Sequence, residues 1–466
     1  MKISFSVIIV QMKKTIFILI MLLSCKAFAE INTKYFPVDD FMRERVNFWK
    51  KVYTEISDQY GYIHDKDVPQ LIYSTVQLGN GSQRDVIRVV RAEKLRVKNL
   101  LNSIAAKNNQ NLTNDEKALL KIIGENKSSN DIRKMANEIR FQRGMSNRYF
   151  DGLVRSYRYL QYIIDEFEKN NLPVELAFMP HVESSFNYEA YSKVGAAGIW
   201  QFMRSSARYY KLKMDYLIDE RRDPILSTKA AINHLVDNYQ KLKTWPLAVT
   251  AYNHGPASIM RAVRDVETTD LSKIIQEYDG KRFGFASKNF YPTFVAAVEI
   301  AQSPQKHFKD FVVPPPLRYG SLVLPKAIKI NEVLKIIELD KSVFREYNRS
   351  LRKSSISGNA TLPKGFVINL PEERMQKQSE YLAKMGIQKS TPVYKETFDT
   401  HKVARGENLY LISKSYNSTL SQMIAFNNLS KPYNIYPGMT LVIPPNGNSE
   451  NSKKKLKKNQ KESQSL

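Results

Sequence analysis

The sequence predicts an α+β protein: a large, mainly α-helical body followed by two small modules that each read strand, two short helices, strand. Three observations lead there. Apolar residues recur at helical spacing through the first three hundred positions, as in Tyr157, Leu160, Ile163, Ile164 and Phe167, a stretch ended by Asn170-Asn171 before Pro173. Pro314-Pro-Pro316 then marks a hinge. Beyond the hinge, two segments align: Phe344, Tyr347 and Asn348 with Met423, Phe426 and Asn427, and Gly365 and Pro371 with Gly438 and Pro444.

The first 29 residues read as an export signal. Lys13-Lys14 precede the apolar run from Ile16 to Leu23, which is short for a membrane span. Ala27-Phe28-Ala29 offers an ordinary cleavage site, and Leu22-Leu-Ser-Cys25 a lipoprotein box that would anchor the chain to the outer membrane through Cys25. Cys25 is the single cysteine, so an internal disulfide and a cysteine-based metal site are both excluded. The formal charge is +25, and losing the four lysines of the signal leaves +21. Such a balance suggests an anionic polymer partner. With an export signal that partner is expected in the cell envelope or periplasm, not among nucleic acids.

Residues 30–146 read as a helical N-terminal region. Phe41, Val46, Phe48, Trp49, Val52 and Tyr53 form an aromatic stripe that suits core packing, Gly79-Asn-Gly81 a turn, and Ala92 onward a long charged helix. Residues 147–304 form the next unit, and its centre is the run from Leu172 to Arg208. Pro173 and Glu175 start a helix there. Leu176, Met179 and Pro180 mark its buried face, and Glu183 falls on that face. A carboxylate on an apolar stripe is costly unless it is paired or kept protonated. Taken alone, Glu183 reads as a salt-bridged helix residue. As an acid, it would need the apolar neighbours Phe178, Met179, Phe186 and Trp200 to hold its proton near neutral pH. The small loop Gly195-Ala-Ala-Gly198 suits a close approach of backbone to a ligand, and Ile199-Trp-Gln-Phe202 follows it.

Glu183-Ser184, then Gly198-Ile-Trp-Gln201, then Ala251-Tyr-Asn253, resemble in order and spacing the three signature motifs of the soluble-lytic-transglycosylase-like catalytic domain, in its transglycosylase D branch. The resemblance implies a lysozyme-like fold and non-hydrolytic cleavage of the N-acetylmuramic acid–N-acetylglucosamine β-1,4 bond in peptidoglycan, leaving a 1,6-anhydromuramyl end. It makes Glu183 the catalytic acid and base, and Ser184, Gly198, Trp200, Gln201, Tyr252 and Asn253 substrate-binding residues. For Ser184, capping of backbone is an equal alternative. Tyr291 is the weakest candidate, because Ala286-Ser-Lys-Asn-Phe-Tyr291 departs from the family's last element. Glu175, Glu189 and Asp215 belong to no motif, and Glu189 is the runner-up acid. No cofactor or metal is implied; His181 and His254 flank two motifs without zinc spacing. A goose-type muramidase and a non-catalytic wall-binding scaffold are the alternatives.

Residues 399–445 resemble a LysM domain, which implies binding of N-acetylglucosamine-containing glycan near Gly406, Glu407, Asn408 and Leu409 and near Asn428 and Leu429. Residues 318–375 lack its Gly-Glu-x-Leu opening and read as a degenerate, structural copy. The tail 446–466, with Lys453-Lys-Lys-Leu-Lys-Lys458, reads as disordered and could touch anionic wall or membrane.

Overall fold

In the computed structural model the residues described are 31–79, 81–386, 400–404, 407–416, 418–420, 423–424, 427, 429, 435 and 439–443. The export signal, Cys25, Gly406, Asn428 and the basic tail lie outside them. Residues up to Met375 form one compact unit and those from Gln376 a second.

The first unit begins with α1 (Asp40–Thr54), capped by the Asp39 side chain, which accepts from Met42 N. Its stripe is buried from Val46 to Tyr53, as the spacing predicts, while Phe41 is half-buried. The region is less uniformly helical than its periodicity suggests. Strands β1 (Tyr60–Asp65), β2 (Ile72–Gln77) and β3 (Ile139–Arg143) form an antiparallel sheet in the order β2-β1-β3. Between β2 and β3 lie α2 (Gln83–Ala106), α3 (Asn114–Ile123) and α4 (Ser129–Asn137). The long helix starts earlier than Ala92 because Ser82 and Asp85 form a capping box just after the turn. Ile63, Val97, Leu101, Ile104 and Ile132 make the separate core of this sub-structure.

The body continues with α5 (Ser146–Ser156), α6 (Leu160–Lys169), a 3₁₀ turn (Val174–Phe178), α7 (Met179–Ser184), α8 (Arg204–Tyr209), a second 3₁₀ turn (Glu220–Arg222), α9 (Pro224–Leu242), α10 (Trp245–His254), α11 (Pro256–Val266), α12 (Leu271–Glu277), α13 (Phe285–Gln302) and α14 (Pro304–His307). Helix α13 is buried on almost every side, which explains its near-continuous apolar sequence. The other elements pack around it. Tyr149 on α5 donates to Ala297 O at 2.6 Å, and Arg43 and Lys50 on α1 both pair with Glu299. The core of α13 therefore carries α1, α5 and the short α7 in one arrangement.

The unit ends in a small module: β4 (Tyr319–Val323), β5 (Ile328–Lys329), α15 (Ile330–Ile337), α16 (Lys341–Tyr347), α17 (Lys353–Ser357), β6 (Thr361–Leu362) and β7 (Val367–Pro371). β4 pairs antiparallel with β7, Tyr319 opposite Pro371, and β5 with β6. The second unit holds α18 (Gln378–Lys384), β8 (Thr400–Lys402), α19 (Leu409–Ser415) and β9 (Thr440–Val442), with β8 antiparallel to β9. Val403, Leu409, Ile412, Met423, Leu441 and Ile443 are its core. None of the described helices is long and apolar enough to cross a membrane.

Candidate functional site

The site is built on α7. Leu176 and Met179 are fully buried, as the helical spacing predicts, and the short α7 ends where Ser185 and Phe186 both take left-handed backbone (φ +50° and +51°). Two consecutive non-glycine residues in that region cost free energy and need support. Gly152 on α5 supplies room, since a Cβ there would lie 2.8 Å from Ser185 O, and Arg155 Nη2 donates to the same carbonyl at 2.8 Å. The stop leaves Glu183 at the mouth of the helix.

Glu183 retains partial surface access, yet protein surrounds its carboxyl closely enough that burial pushes its pKa from 4.5 up to about 8. Among the described residues no hydrogen bond or ion pair reaches this carboxyl, so nothing offsets the desolvation. Phe178, Met179, Phe186 and Trp200, the expected apolar neighbours, are all buried in the surrounding core.

The loop that follows is tied to α7 by backbone and side chain. Ser184 Oγ donates to Ile199 O at 2.9 Å and contacts Pro180 O at 3.3 Å, so its hydroxyl fastens two backbone segments and does not bond Glu183. Ala197 and Phe202 exchange backbone hydrogen bonds across a tight hairpin. Gly198 has φ +78°, and a Cβ there would stand 1.8 Å from Arg221 O, which only glycine avoids. Gln201, also left-handed at φ +48°, donates from Nε2 to Gly198 O at 2.8 Å. Trp200 is fully buried, with its Nε1 donating to Thr228 Oγ1 at 2.8 Å. Its ring is a core element. Its carbonyl oxygen accepts from Tyr252 Oη at 2.9 Å, which brings the third motif against the second.

Tyr252 is partly exposed, and burial, with Glu183 adding a smaller push, raises its phenol well above the ordinary value. It stays protonated and spends its proton on Trp200, leaving lone pairs for any further partner. Asn253 is exposed with its amide free among the described residues. Tyr291 stands apart. It is buried, donates to Pro37 O at 2.9 Å and lines a cavity of about 500 Å³ with Met42, Trp245 and Leu271.

Two features escaped the sequence reading. Tyr53 on α1 is buried, and that burial, with Glu183 adding a smaller push, raises its phenol pKa. Its ring stacks on Tyr149 (centroids 4.7 Å), which stacks on His181 (5.1 Å), two residues before Glu183. The aromatic stripe was visible, but nothing in it distinguished Tyr53 from its core neighbours. The second is Arg221, fully buried and paired through two 2.8 Å contacts with Asp219. Its Nη1 donates to Gly195 O at 2.7 Å and Phe202 O at 3.1 Å, clamping both ends of the hairpin. Two arginines in a row, Arg221-Arg222, carried no signal that one of them is interior.

The other carboxylates are committed elsewhere. Glu175 accepts from Asn32 N at 3.4 Å, and Asp215 from Leu217 N and Ile218 N. Glu189 meets Arg222, Arg345 and Arg349; although burial opposes ionisation, they hold its pKa below the usual value. His181 is buried, and desolvation, then Arg155, pushes it down to about 3, so it is neutral; His254 is bonded by Ser258 and Ser287. In the second unit Glu407 Oε2 accepts from His401 Nε2 and Ala404 N, both at 2.7 Å, and Asn408 caps α19 through Leu411 N. Leu409 is buried and Leu429 packs on the same core.

Residues 161–275 match the family model for the Transglycosylase SLT domain, and residues 401–444 that for the LysM domain. Over 123 residues the chain is 40% identical to a protein of Alteromonas sp. (strain M-1) named for tributyltin chloride resistance, covering 26% of this chain and 59% of that one. Over 300 residues it is 25% identical to the membrane-bound lytic murein transglycosylase D of Escherichia coli (strain K12), covering 63% of this chain and 65% of the relative. The chain thus spans under two thirds of either relative's length. Among solved structures it is similar to the 70 kDa soluble lytic transglycosylase of E. coli, at 16% identity and a TM-score of 0.28, over 49% of this chain and 36% of that one. The chain carries a transglycosylase SLT domain over residues 161–275 and a LysM domain over residues 401–444.

Proposed function

We propose that this protein is an exported peptidoglycan lytic transglycosylase that cleaves the N-acetylmuramic acid–N-acetylglucosamine bond without water and anchors on glycan through its LysM domain. One observation carries the reading: Glu183 is a desolvated carboxylic acid, held near pKa 8, and among the described residues the carboxylates nearest it in sequence are each bonded elsewhere. A general acid poised near the working pH is what protonation of a glycosidic oxygen requires. Ordinary glycosidases add a second carboxylate as nucleophile or base, and here Glu175, Glu189 and Asp215 are each engaged.

In the proposed reaction Glu183 gives its proton to the glucosamine O4 as the bond from muramyl C1 to that oxygen breaks. The muramyl 6-hydroxyl oxygen then bonds to C1, and its proton returns to the Glu183 carboxylate. Atoms and charge balance with no water consumed. The intramolecular hydroxyl replaces a second carboxylate through its high effective concentration. Tyr252, braced by the Trp200 carbonyl, stands within electrostatic reach of Glu183. Gln201 and Asn253 present amides to the sugars, while Gly198 and the Trp200 ring hold the loop. Ser184 acts on the same loop, through backbone. The basic balance of the chain suits the acidic stems and headgroups of the envelope. Association with the membrane through Cys25 or the tail belongs to this proposal as well.

The test is mass analysis of digested sacculi. Anhydro ends are one water lighter than the reducing muramic acid left by a goose-type hydrolase, so the products separate the two reactions. Glu183→Gln is expected to lower the rate by about 10²–10⁴-fold while sacculus binding persists. Unchanged lysis by that variant would overturn the assignment.

A further inference from the structure

We infer that the module of residues 318–375 is an internal brace, which positions the loop beside Glu183 by binding the catalytic domain instead of glycan. The inference rests on the transglycosylase reading only for its effect on rate. The repeat register supplies the first observation. Asn348 Nδ2 donates to Phe344 O at 2.8 Å, and Asn427 Nδ2 donates to Met423 O at 2.9 Å, so the two asparagines make the same bond to the carbonyl four residues earlier. The stretch after Asn427 is the one expected to border the glycan groove of the LysM domain. Its counterpart after Asn348 is Arg349–Lys353, and this stretch lies against the catalytic domain.

The contact is specific and mostly backbone. Asp219 N donates to Ser350 O at 2.7 Å, and Arg352 N to Leu217 O at 3.0 Å, with a bridge between Ile218 and Leu351. Arg352 Nε donates to Asp215 O at 2.6 Å, and Ser355 Oγ lies 3.1 Å from the carbonyls of Tyr216 and Leu217. A short strand-like seam therefore commits this stretch to the catalytic domain.

The seam has two routes to the catalytic loop. Through the first, Arg352 stands 3.7 Å from Asp219, whose carboxylate holds Arg221, whose guanidinium clamps Gly195 and Phe202. Through the second, Arg345 and Arg349 grip Glu189, six residues past Glu183, and Arg349 also covers the Tyr188 ring at 4.9 Å. Exposed ion pairs add little stability, and Glu189 is 40% exposed. Convergence of three guanidinium groups on one such carboxylate is better explained by fixing its position. Misplacing a reacting group by about 1 Å can cost 10²-fold in rate.

The experiment uses the full-length protein with purified sacculi. Glu189→Gln and the pair Arg345→Met/Arg349→Met, alone and combined, are assayed for kcat, KM, sacculus binding and thermal midpoint, with hydrogen exchange read over residues 187–202. The brace predicts a kcat about 10-fold lower, KM and binding unchanged, and faster exchange over that loop. The combined variant should be no worse than either alone, and Arg345→Lys should keep most of the rate. Should the double arginine variant not fold, Glu189→Gln, an isosteric surface change, reads the same contact. Three results would each overturn the brace: kcat and exchange unchanged, multiplying losses in the combined variant, or a loss confined to KM and binding, which would make the module a glycan reader. If the unaltered protein releases hydrolysed ends, the reaction reading fails while the exchange measurement still decides the brace.

Discussion

Removing the charge from Glu183 should stabilise the fold, and by an amount that depends on pH. The native carboxyl titrates near 8 against 4.5 for an ordinary one, because burial disfavours the anion. Between those values the native state holds a proton that the unfolded chain has released, so stability falls as pH rises across the interval and levels off above about 8. At about 1.4 kcal/mol per unit, the full penalty is at most about 5 kcal/mol, and cleft water reduces it. Glu183→Gln keeps the shape and removes the titration. Its denaturation midpoint should match the parent's near pH 4.5 and exceed it increasingly toward pH 9, by about 2–5 kcal/mol. The assay is urea unfolding followed by circular dichroism at a series of pH values, parent against variant. The parent's kcat/KM should fall through pH 8 as the acid is lost; at pH 7 about nine tenths of it is protonated, at pH 9 about one tenth. If parent and variant share one stability profile, Glu183 is an ordinary solvated carboxylate and the proton-donor argument collapses.

Other consequences follow from the same contacts. Arg221→Met leaves Asp219 buried without its partner and should cost about 3–5 kcal/mol, read as a drop in thermal midpoint along with loss of activity. Gly198→Ala drives a methyl into Arg221 O and should abolish turnover more completely than it unfolds the chain, as seen by comparing lysis with circular dichroism. Tyr252→Phe strands the Trp200 carbonyl, costing about 1–3 kcal/mol, and should lower kcat, whereas Tyr291→Phe should leave KM for sacculi unchanged because its hydroxyl serves Pro37. Tyr53→Phe should leave the alkaline limb of the kcat/KM profile in place, since burial keeps its phenol protonated and uncharged there; a displaced limb, read from the pH profile, would refute this.

Local signals made much of this readable in the chain. The apolar stripe of Leu176 and Met179, the Pro173 start and the left-over carboxylate at Glu183 all express short-range rules, and the fold follows them. What stayed hidden depended on distant partners. Trp200 stands beside the small loop in the sequence, but its indole N–H finds Thr228 on another helix, and that bond and its burial mark it as core. Tyr291 looked like a shifted motif tyrosine, yet its hydroxyl meets Pro37, more than two hundred residues away. The sheet β2-β1-β3 was missed because β3 is brought to β1 only after three intervening helices, and its burial pattern lacks clean alternation.

The hidden contacts share a purpose that the motifs alone do not express. A reaction carried by one carboxyl needs that carboxyl desolvated, and a desolvated group has no bond of its own to hold it. Its position must come from the backbone around it. The left-handed pair Ser185-Phe186 and the left-handed Gln201 keep their conformations only because Arg155, Arg221 and the hydroxyls of Ser184 and Tyr252 occupy the facing carbonyls. Donors from α5, α7, α10 and the 220–222 turn thus converge on the backbone near Glu183, while the acid itself is left free to exchange its proton.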